Sequence, residues 1–120
     1  MNKEIIINGI VYIPKDSVKE YDLSNVVLIR SYAAGVHYGN IKKEEFTPSG
    51  KVVTLSNTRR IWYWDGAASL SQLALSGVTK PENCKISVEI TENEIVNVIE
   101  TIPMTQKAVE NLNNIQPWKV

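Results

Sequence analysis

The chain has 120 residues, 43% of them hydrophobic and 22% charged, a composition typical of a soluble globular protein with a single core. Its 13 basic and 13 acidic side chains give a formal net charge of zero. That balance argues against a binder of nucleic-acid polymers, which needs a basic surface to displace counterions. Cys84 is the only cysteine, which excludes an intramolecular disulfide and a thiolate metal cage and fits a cytoplasmic setting.

The first predicted element is a β-hairpin near the start of the chain. Short apolar runs flank Asn8-Gly9, a dipeptide that favours a tight turn because both residues accept positive φ. These runs are too short for a signal peptide or a membrane span, so no membrane partner is expected. The chain is predicted to divide into an N-terminal β-hairpin with its connector, residues 1–24, and a single α+β ligand-binding domain, residues 25–120.

The second region is predicted to contain six strands, from its β-branched runs and its alternation of apolar and polar residues. Residues 42–50 are predicted to form an exposed loop. Residues 56–58 are predicted to join two strands, and residues 92–93 to form a turn. The predicted strands are residues 26–30, 36–41, 51–55, 59–64, 84–91 and 94–102.

Two helices are predicted from apolar residues at helical spacing. The first covers residues 68–76 and ends at Gly77, a common helix stop. The second is capped by Thr105, runs to about Asn113 and turns its apolar side to the core. The predicted fold is therefore α+β, a mostly antiparallel β-sheet with two α-helices and an N-terminal β-hairpin.

Catalytic and metal-binding motifs are largely missing from the sequence. It contains no phosphate-binding glycine loop, no nucleophile elbow and no zinc spacing, and His37 is its only histidine. Cys84 and His37 could form a nucleophile and base in principle, but nothing in the sequence places them together. We therefore expect no catalytic residue, no metal site and no cofactor.

The most informative segment is residues 59–64, which hold two of the three tryptophans and an arginine pair. In a strand, side chains alternate between the two faces of the sheet. A guanidinium beside an aromatic ring then occurs on each face, an arrangement that suits a ligand with a flat base and a phosphate. It suits equally a strand half-buried in a subunit contact. One face carries Arg59, Ile61 and Tyr63, and the other carries Arg60, Trp62 and Trp64.

Two further side chains are candidates for ligand contacts. Arg30 ends an apolar strand, so it must meet a carboxylate, a surface or an anion. His37 lies between Gly35 and Gly39, which allow close approach of the backbone to a ligand or merely to a crossing strand. For both residues the structural and the ligand-binding interpretations remain open at the level of sequence.

Three segments resemble small phage proteins, the first-described type of phage Thoeris anti-defence sponge. The first is Val-Leu-Ile-Arg-Ser-Tyr-Ala-Ala-Gly-Val-His at residues 27–37, and the second is Arg-Arg-Ile-Trp-Tyr-Trp-Asp-Gly-Ala-Ala-Ser-Leu at residues 59–70. The third is Ile-Pro-Met-Thr at residues 102–105 with the closing Pro-Trp-Lys at residues 117–119. The resemblance runs from about Val26 onward and leaves out the predicted hairpin.

The resemblance implies a non-catalytic protein of the host cytoplasm. It would sequester the cyclic ADP-ribose isomers, such as glycocyclic ADP-ribose (gcADPR), that bacterial TIR-domain enzymes make as alarm signals. It also implies a homo-oligomer, a dimer or a hexamer, and a second type of site for cyclic oligonucleotides. Arg30 and Arg59 correspond to phosphate contacts, Ile86 stands where a base-stacking side chain is expected, and Asn97 is a candidate contact to base or ribose.

His37, Arg60 and Trp62 complete the set of expected ligand-binding residues. Within it we expect Arg59 to face the ligand, and the face with Trp62 and Trp64 to serve chiefly for packing. The main alternative is a small phage structural or interaction module that uses the tryptophan-rich strand as a protein–protein contact. A further alternative is a hydrolase or transferase acting on the same nucleotides.

Overall fold

The computed structural model describes residues 25–118, and the predicted N-terminal hairpin lies outside these residues. Within them the fold is the predicted one, α+β with a mostly antiparallel sheet and two helices. A single turn of 3-10 helix, Pro81–Asn83, is the remaining regular element. The elements are β1 Val26–Ser31, β2 Gly35–Thr47, β3 Gly50–Tyr63, α1 Leu70–Ser76, β4 Lys85–Ile86, β5 Ile90–Ile95, β6 Val98–Pro103 and α2 Gln106–Asn113.

The sheet has the order β4-β3-β2-β1-β6, and every pair is antiparallel. β5 pairs with β3 on the same side as β4, from Val53 to Thr58. β5 and β6 therefore occupy opposite sides of the sheet, yet only two residues, Val96 and Asn97, connect them. A connection of that length spans at most roughly 11 Å. The sheet must curl so that its two sides meet, and Lys51 Nζ of β3 lies 3.4 Å from Thr101 Oγ1 of β6.

Each face of the sheet buries a separate apolar core. Alternate residues of β1 show the division, with Val26 and Leu28 on one face and Val27 and Ile29 on the other. The helix-side core lies between the sheet and both helices. The inner core fills the concave side of the curl and consists of Val27, Ile29, Val53, Leu55, Ile95 and Val98, with Ala34 and Ile41 at its margin.

Both predicted helices form. The first begins at Leu70 rather than at residue 68, because the Ser69 side chain caps it by accepting a hydrogen bond from the Gln72 N–H. Thr105 caps the second as predicted, accepting one from the Ala108 N–H at 3.1 Å. Gly77 ends α1 with a φ of 78°, a conformation that glycine adopts without strain. The predicted core side of α2 is confirmed, because Ala108, Val109 and Leu112 are buried. No helix within residues 25–118 is long and apolar enough to cross a membrane.

The predicted joint at residues 56–58 is wrong, because β3 continues through it as one strand of 14 residues. Asn57 has a φ of 49°, and the pairing moves from Asn40↔Ser56 to Tyr38↔Arg59 across it. β3 thus contains one residue more than β2 over this interval, which is a β-bulge. The turn-forming residues lie in this bulge, and the strand continues past them.

Two other predicted connections also differ from the structure. The predicted loop at residues 42–50 is mostly strand, because β2 and β3 stay paired as far as Thr47↔Gly50. Its charged side chains are exposed, so their polarity indicates contact with solvent and not an interruption of the strand pairing. The predicted turn at residues 92–93 lies inside β5, and the chain reverses instead at Asn97, whose φ is 53°.

Candidate functional site

Alternation along β3 separates its two arginines, as predicted. Arg60 is the antiparallel partner of His37, which follows the helix-side residue Val36 and belongs to the opposite, concave face. Arg59 precedes Ile61, which is buried in the helix-side core. The two guanidinium groups therefore lie in different environments.

The Arg59 guanidinium is buried against α2 and the segment after β4. Nε donates to the carbonyl of Ser87 at 2.7 Å, Nη1 to that of Leu112 at 2.9 Å, and Nη2 to that of Ile115 at 2.9 Å. Arg59 is only 5% exposed. These bonds satisfy carbonyl groups at the C-terminal end of α2, where a positive charge is also favourable. The expectation that Arg59 faces a ligand is therefore corrected, because its donors hold the last helix to the sheet.

The concave face carries an open pocket of about 260 Å³ next to the inner core. The pocket lies beyond the end of the inner core, on the parts of β2 and β3 that extend past the inner-core residues. Polar and apolar side chains both line it, and none of them is a carboxylate. The lining residues are His37, Thr58, Arg59, Arg60, Trp62, Ser87, Val88, Ile90 and Asn93.

Arg60 and Trp62 form the cationic and aromatic part of this pocket. The Arg60 Cζ lies 3.9 Å from the centroid of the Trp62 ring, close enough for a strong cation–π contact. The guanidinium also packs over Gly35, where a Cβ atom would lie 3.3 Å from Nη2. Within residues 25–118 no carbonyl or carboxylate accepts a hydrogen bond from this guanidinium. Its donors are thus available to an anion that enters the pocket.

Ser87 fixes the strand at the position of Arg60. Its N–H donates to the Arg60 carbonyl at 2.9 Å, and its Oγ accepts from the Arg60 N–H at 2.8 Å. The carbonyl of Ser87 also accepts from Arg59, as described above. One short segment between β4 and β5 therefore holds the backbone of Arg60 and the side chain of Arg59. The sequence predicted one continuous strand over residues 84–91, whereas the structure has a break between β4 and β5. No local signal in the sequence marks Ser87 as the centre of this break.

His37 lies at the bottom of the pocket and is only 3% exposed. Its Nε2 and the carbonyl oxygen of Ala34 are 2.9 Å apart. Burial lowers the pKa of His37, and the positive charge of Arg60 lowers that pKa further, while the bond to Ala34 opposes both effects. The imidazole is therefore neutral at physiological pH.

Two expected ligand contacts lie away from this pocket. Arg30 is exposed, and its Nε donates to Glu100 Oε1 on the neighbouring strand β6 at 3.0 Å. Of the two interpretations left open by the sequence, the structure shows the ion pair. Asn97 forms the turn between β5 and β6 and packs against Gly50. Neither residue lines the pocket that contains Arg60.

Ile86 and Trp64 are packing residues. Ile86 is completely buried in the helix-side core, so it presents no surface on which a base could stack. Trp64 packs against the same core, and its Nε1 donates to the carbonyl of Ala67 at 3.3 Å. The expected shared face of Trp62 and Trp64 is therefore wrong. β3 ends at Tyr63, and its pairing with β4 shifts register between Ile61 and Tyr63, which breaks the alternation of side chains before Trp64.

The structure bears on two groupings considered from the sequence, a cysteine–histidine pair and a cluster of metal ligands. Cys84 and His37 line different cavities, which separates the nucleophile and base considered from the sequence. Among residues 25–118 no three histidine, cysteine or acidic side chains come together as metal ligands.

Together, the fold and the pocket define a small α+β domain with a cationic and aromatic site on the concave face of a curled sheet. The chain belongs to the family DUF6948, described as a domain of unknown function, whose profile matches residues 24–112. That range contains every residue that lines the pocket. Comparisons with curated proteins and with solved structures found no match.

Proposed function

We propose that this protein binds a small anionic nucleotide in the pocket of His37, Arg60 and Trp62, and holds it without chemical change. The observation that carries this proposal is the Arg60 guanidinium, which has a tryptophan ring beneath it and no acceptor among the described residues. A structural arginine would be expected to resemble Arg59, with its donors satisfied. An arginine left free beside a half-exposed indole is suited to a phosphate and a base.

Each part of a nucleotide has a matching group in the pocket. The guanidinium of Arg60 can hold phosphate oxygens through two parallel hydrogen bonds. Trp62 is 54% exposed and offers its free surface to a base. The side-chain amide of Asn93 supplies a polar group for a ribose hydroxyl. The missing carboxylates in the lining remove the main source of repulsion toward a phosphate.

The ligand class that we propose is a cyclic ADP-ribose isomer, such as glycocyclic ADP-ribose, with cyclic oligonucleotides as a second class. The support for it is the resemblance of residues 27–37 and 59–70 to phage Thoeris anti-defence sponges. Such a protein would act in the host cytoplasm by keeping the alarm signal from its effector. It would use no metal and no cofactor.

A second subunit would complete the proposed site. At about 260 Å³ the pocket is smaller than the roughly 300 Å³ at which small-molecule sites usually begin. Its rim is apolar and exposed, with Trp62, Val88 and Ile90 each more than 40% accessible. A rim of this kind suits a contact between copies, as in a dimer or a hexamer, and that contact would enclose the remainder of the ligand.

The test is retention followed by release. The purified protein is mixed with cyclic ADP-ribose or glycocyclic ADP-ribose, filtered to remove unbound nucleotide, and heated, and the released compound is identified by mass spectrometry. Intact nucleotide supports binding without chemistry, and an altered product would indicate a hydrolase or transferase. Failure to retain these isomers and cyclic oligonucleotides would contradict the proposal.

The variants Arg60→Gln and Lys107→Gln make a matched pair for this experiment. Both substitutions remove one positive charge, so they change the overall charge equally. Lys107 is exposed on α2, on the opposite side of the sheet from the pocket. We expect Arg60→Gln to abolish retention and Lys107→Gln to leave it unchanged.

The second candidate function is an interaction module, favoured by the exposed aromatic residues at the end of β3. Trp62 and Tyr63 are 54% and 53% exposed at the end of the strand. Paired aromatic residues of this exposure are common at protein contacts. For this function, Trp62→Ser and Tyr63→Ser should both weaken association with the same phage protein, and the unmodified protein should retain no nucleotide.

A further inference from the structure

We propose that His37 determines the specificity of the pocket, because its Nδ1 accepts a hydrogen bond from a hydroxyl or amino group of the ligand. This inference rests on the nucleotide site proposed above and adds a requirement to it. The ligand must present a hydrogen-bond donor next to its phosphate.

The contact with Ala34 fixes the position of the imidazole proton. A carbonyl oxygen can only accept, so the 2.9 Å contact requires a proton on Nε2. A neutral imidazole carries one N–H, which leaves Nδ1 as an acceptor. The ring remains in that form because burial and Arg60 both oppose a second proton.

Nδ1 has no donor within residues 25–118, although His37 is 97% buried. Buried polar atoms in native proteins are usually hydrogen-bonded, because an acceptor buried without a donor is destabilising. His37 also lines the pocket, so a bound molecule can reach the ring. The missing partner of Nδ1 is therefore best explained as a group of the ligand.

His37 and Arg60 have different roles in the pocket, because the neutral imidazole accepts a hydrogen bond and the charged guanidinium donates them. His37 and Arg60 are direct partners across β2 and β3, so an acceptor and a cationic donor lie side by side. Ile29 is the partner of His37 on β1 and carries no charge. The Arg59 guanidinium points away to α2, and the pocket lining contains no carboxylate. A bare phosphate can satisfy Arg60 alone, whereas a nucleotide with a nearby hydroxyl or amino group satisfies both residues.

Two substitutions distinguish the contributions of Nε2 and Nδ1 of the imidazole. His37→Gln can place an amide donor where Nε2 stands, toward Ala34, and has no acceptor at the Nδ1 position. His37→Asn can place an amide oxygen where Nδ1 stands and loses the bond to Ala34. With cyclic ADP-ribose as the titrant in calorimetry, we expect His37→Gln to weaken binding about tenfold, as loss of one hydrogen bond implies. His37→Asn should remain within about threefold of the unmodified protein.

Nucleotide analogues test the same contact without changing the protein. One analogue has the adenine amine replaced with oxygen, and others each lack one ribose hydroxyl. Only the analogue that lacks the group bonded to Nδ1 should bind the unmodified protein more weakly. The same analogue should cause no further loss in His37→Gln, because the two changes remove one shared hydrogen bond. The donor is thereby assigned to the base or to the ribose.

The outcomes distinguish this inference from the proposed function. If His37→Gln binds as tightly as the unmodified protein while Arg60→Gln does not bind, the acceptor role is wrong and the nucleotide site stands. Equal losses in folded His37→Gln and His37→Asn, with no analogue effect, would assign His37 to ring packing and overturn the inference. An unmodified protein that binds neither a cyclic ADP-ribose isomer nor a cyclic oligonucleotide overturns both.

Discussion

Arg59 and Arg60 are consecutive in β3, yet the first donates to the carbonyls of Leu112 and Ile115 while the second stacks on Trp62 without an acceptor among the described residues. One arginine therefore secures the last helix, and its neighbour is available to a ligand. The two residues have the same chemistry and nearly the same position in the chain. Their difference arises only from the face of the sheet on which each side chain lies.

Replacing each arginine by methionine should separate stability from binding. Arg59→Met leaves the carbonyls of Ser87 and Ile115 without this donor, while the carbonyl of Leu112 keeps its bond from the Ile115 N–H. We therefore expect a loss of at least about 2 kcal/mol in the free energy of unfolding. Arg60→Met keeps the stem over Trp62 and should change stability by less than about 1 kcal/mol while abolishing nucleotide retention. Urea denaturation and the retention assay measure the two effects. A stable Arg59→Met would show that the carbonyl bonds contribute little.

Trp62 and Tyr63 provide a matched comparison for base stacking. They are exposed to almost the same extent, but only Trp62 lines the pocket. Trp62→Ala should weaken nucleotide binding by roughly 10- to 100-fold, since stacking on an aromatic ring contributes about 1–3 kcal/mol per base. Trp62→Phe should lose less, and Tyr63→Ala should bind like the unmodified protein. Equal losses at the two positions, measured by calorimetry, would point to a general effect on the strand.

The pH dependence of stability should contain a contribution from His37. Its pKa in the folded protein is below the ordinary 6.5, so between these two values the unfolded chain binds more protons than the folded one. Stability should therefore fall as the pH decreases from about 7.5 through this interval. His37→Gln should lack that part of the decrease, so the difference between the two proteins in urea titrations should shrink as the pH is lowered. A constant difference would mean that His37 does not titrate as its burial implies.

How far the sequence predicted the fold can be seen at two asparagines. Both helices were predicted because Gly77 and Thr105 act on the helix turns next to them, which is local chemistry. Asn57 and Asn97 both adopt positive φ, but Asn57 makes a bulge and Asn97 makes a turn. A bulge forms only if the partner strand continues past it, and that depends on pairing with distant residues. The sequence around Asn57 therefore could not distinguish the two outcomes.

For the candidate site, alternation correctly grouped Arg60 with Trp62 but could not say which face of β3 is open. That choice depends on where α1 and α2 pack, and α2 follows β3 by more than 40 residues. Arg59 was assigned to the ligand from the resemblance to the sponge family, which the pattern of the strand could not test. His37 joined the site through its pairing with Arg60, a contact that the glycines around it suggested only indirectly.

Asn97 should be replaceable by glycine but not by valine. Its φ of 53° is easy for glycine and costs about 1–2 kcal/mol for most other residues, with a β-branched side chain worse still. Asn97→Gly should keep both thermal stability and nucleotide binding, and Asn97→Val should lower the melting temperature. Lost binding in a stable Asn97→Gly would restore the asparagine as a ligand contact.

Arg30→Gln should have little effect on either property. The guanidinium of Arg30 is bonded to Glu100 at the surface, and exposed ion pairs typically contribute less than about 1 kcal/mol. The residue lies outside the pocket, so nucleotide affinity should change by no more than about twofold. A large loss of affinity in a folded Arg30→Gln would place a phosphate at β1.

The pairing of β1 with β6 also determines when this domain can fold during synthesis. Arg30 and Glu100 are 70 positions apart, so β1 leaves the ribosome long before its outer neighbour exists. Until β6 and α2 emerge, both cores that cover β1 lack part of their residues, Val98 in one and Val109 and Leu112 in the other. Contacts this distant in sequence make folding slow and expose the nascent chain to aggregation. A chaperone that binds apolar strands would therefore be expected to engage β1 before the pocket ever forms.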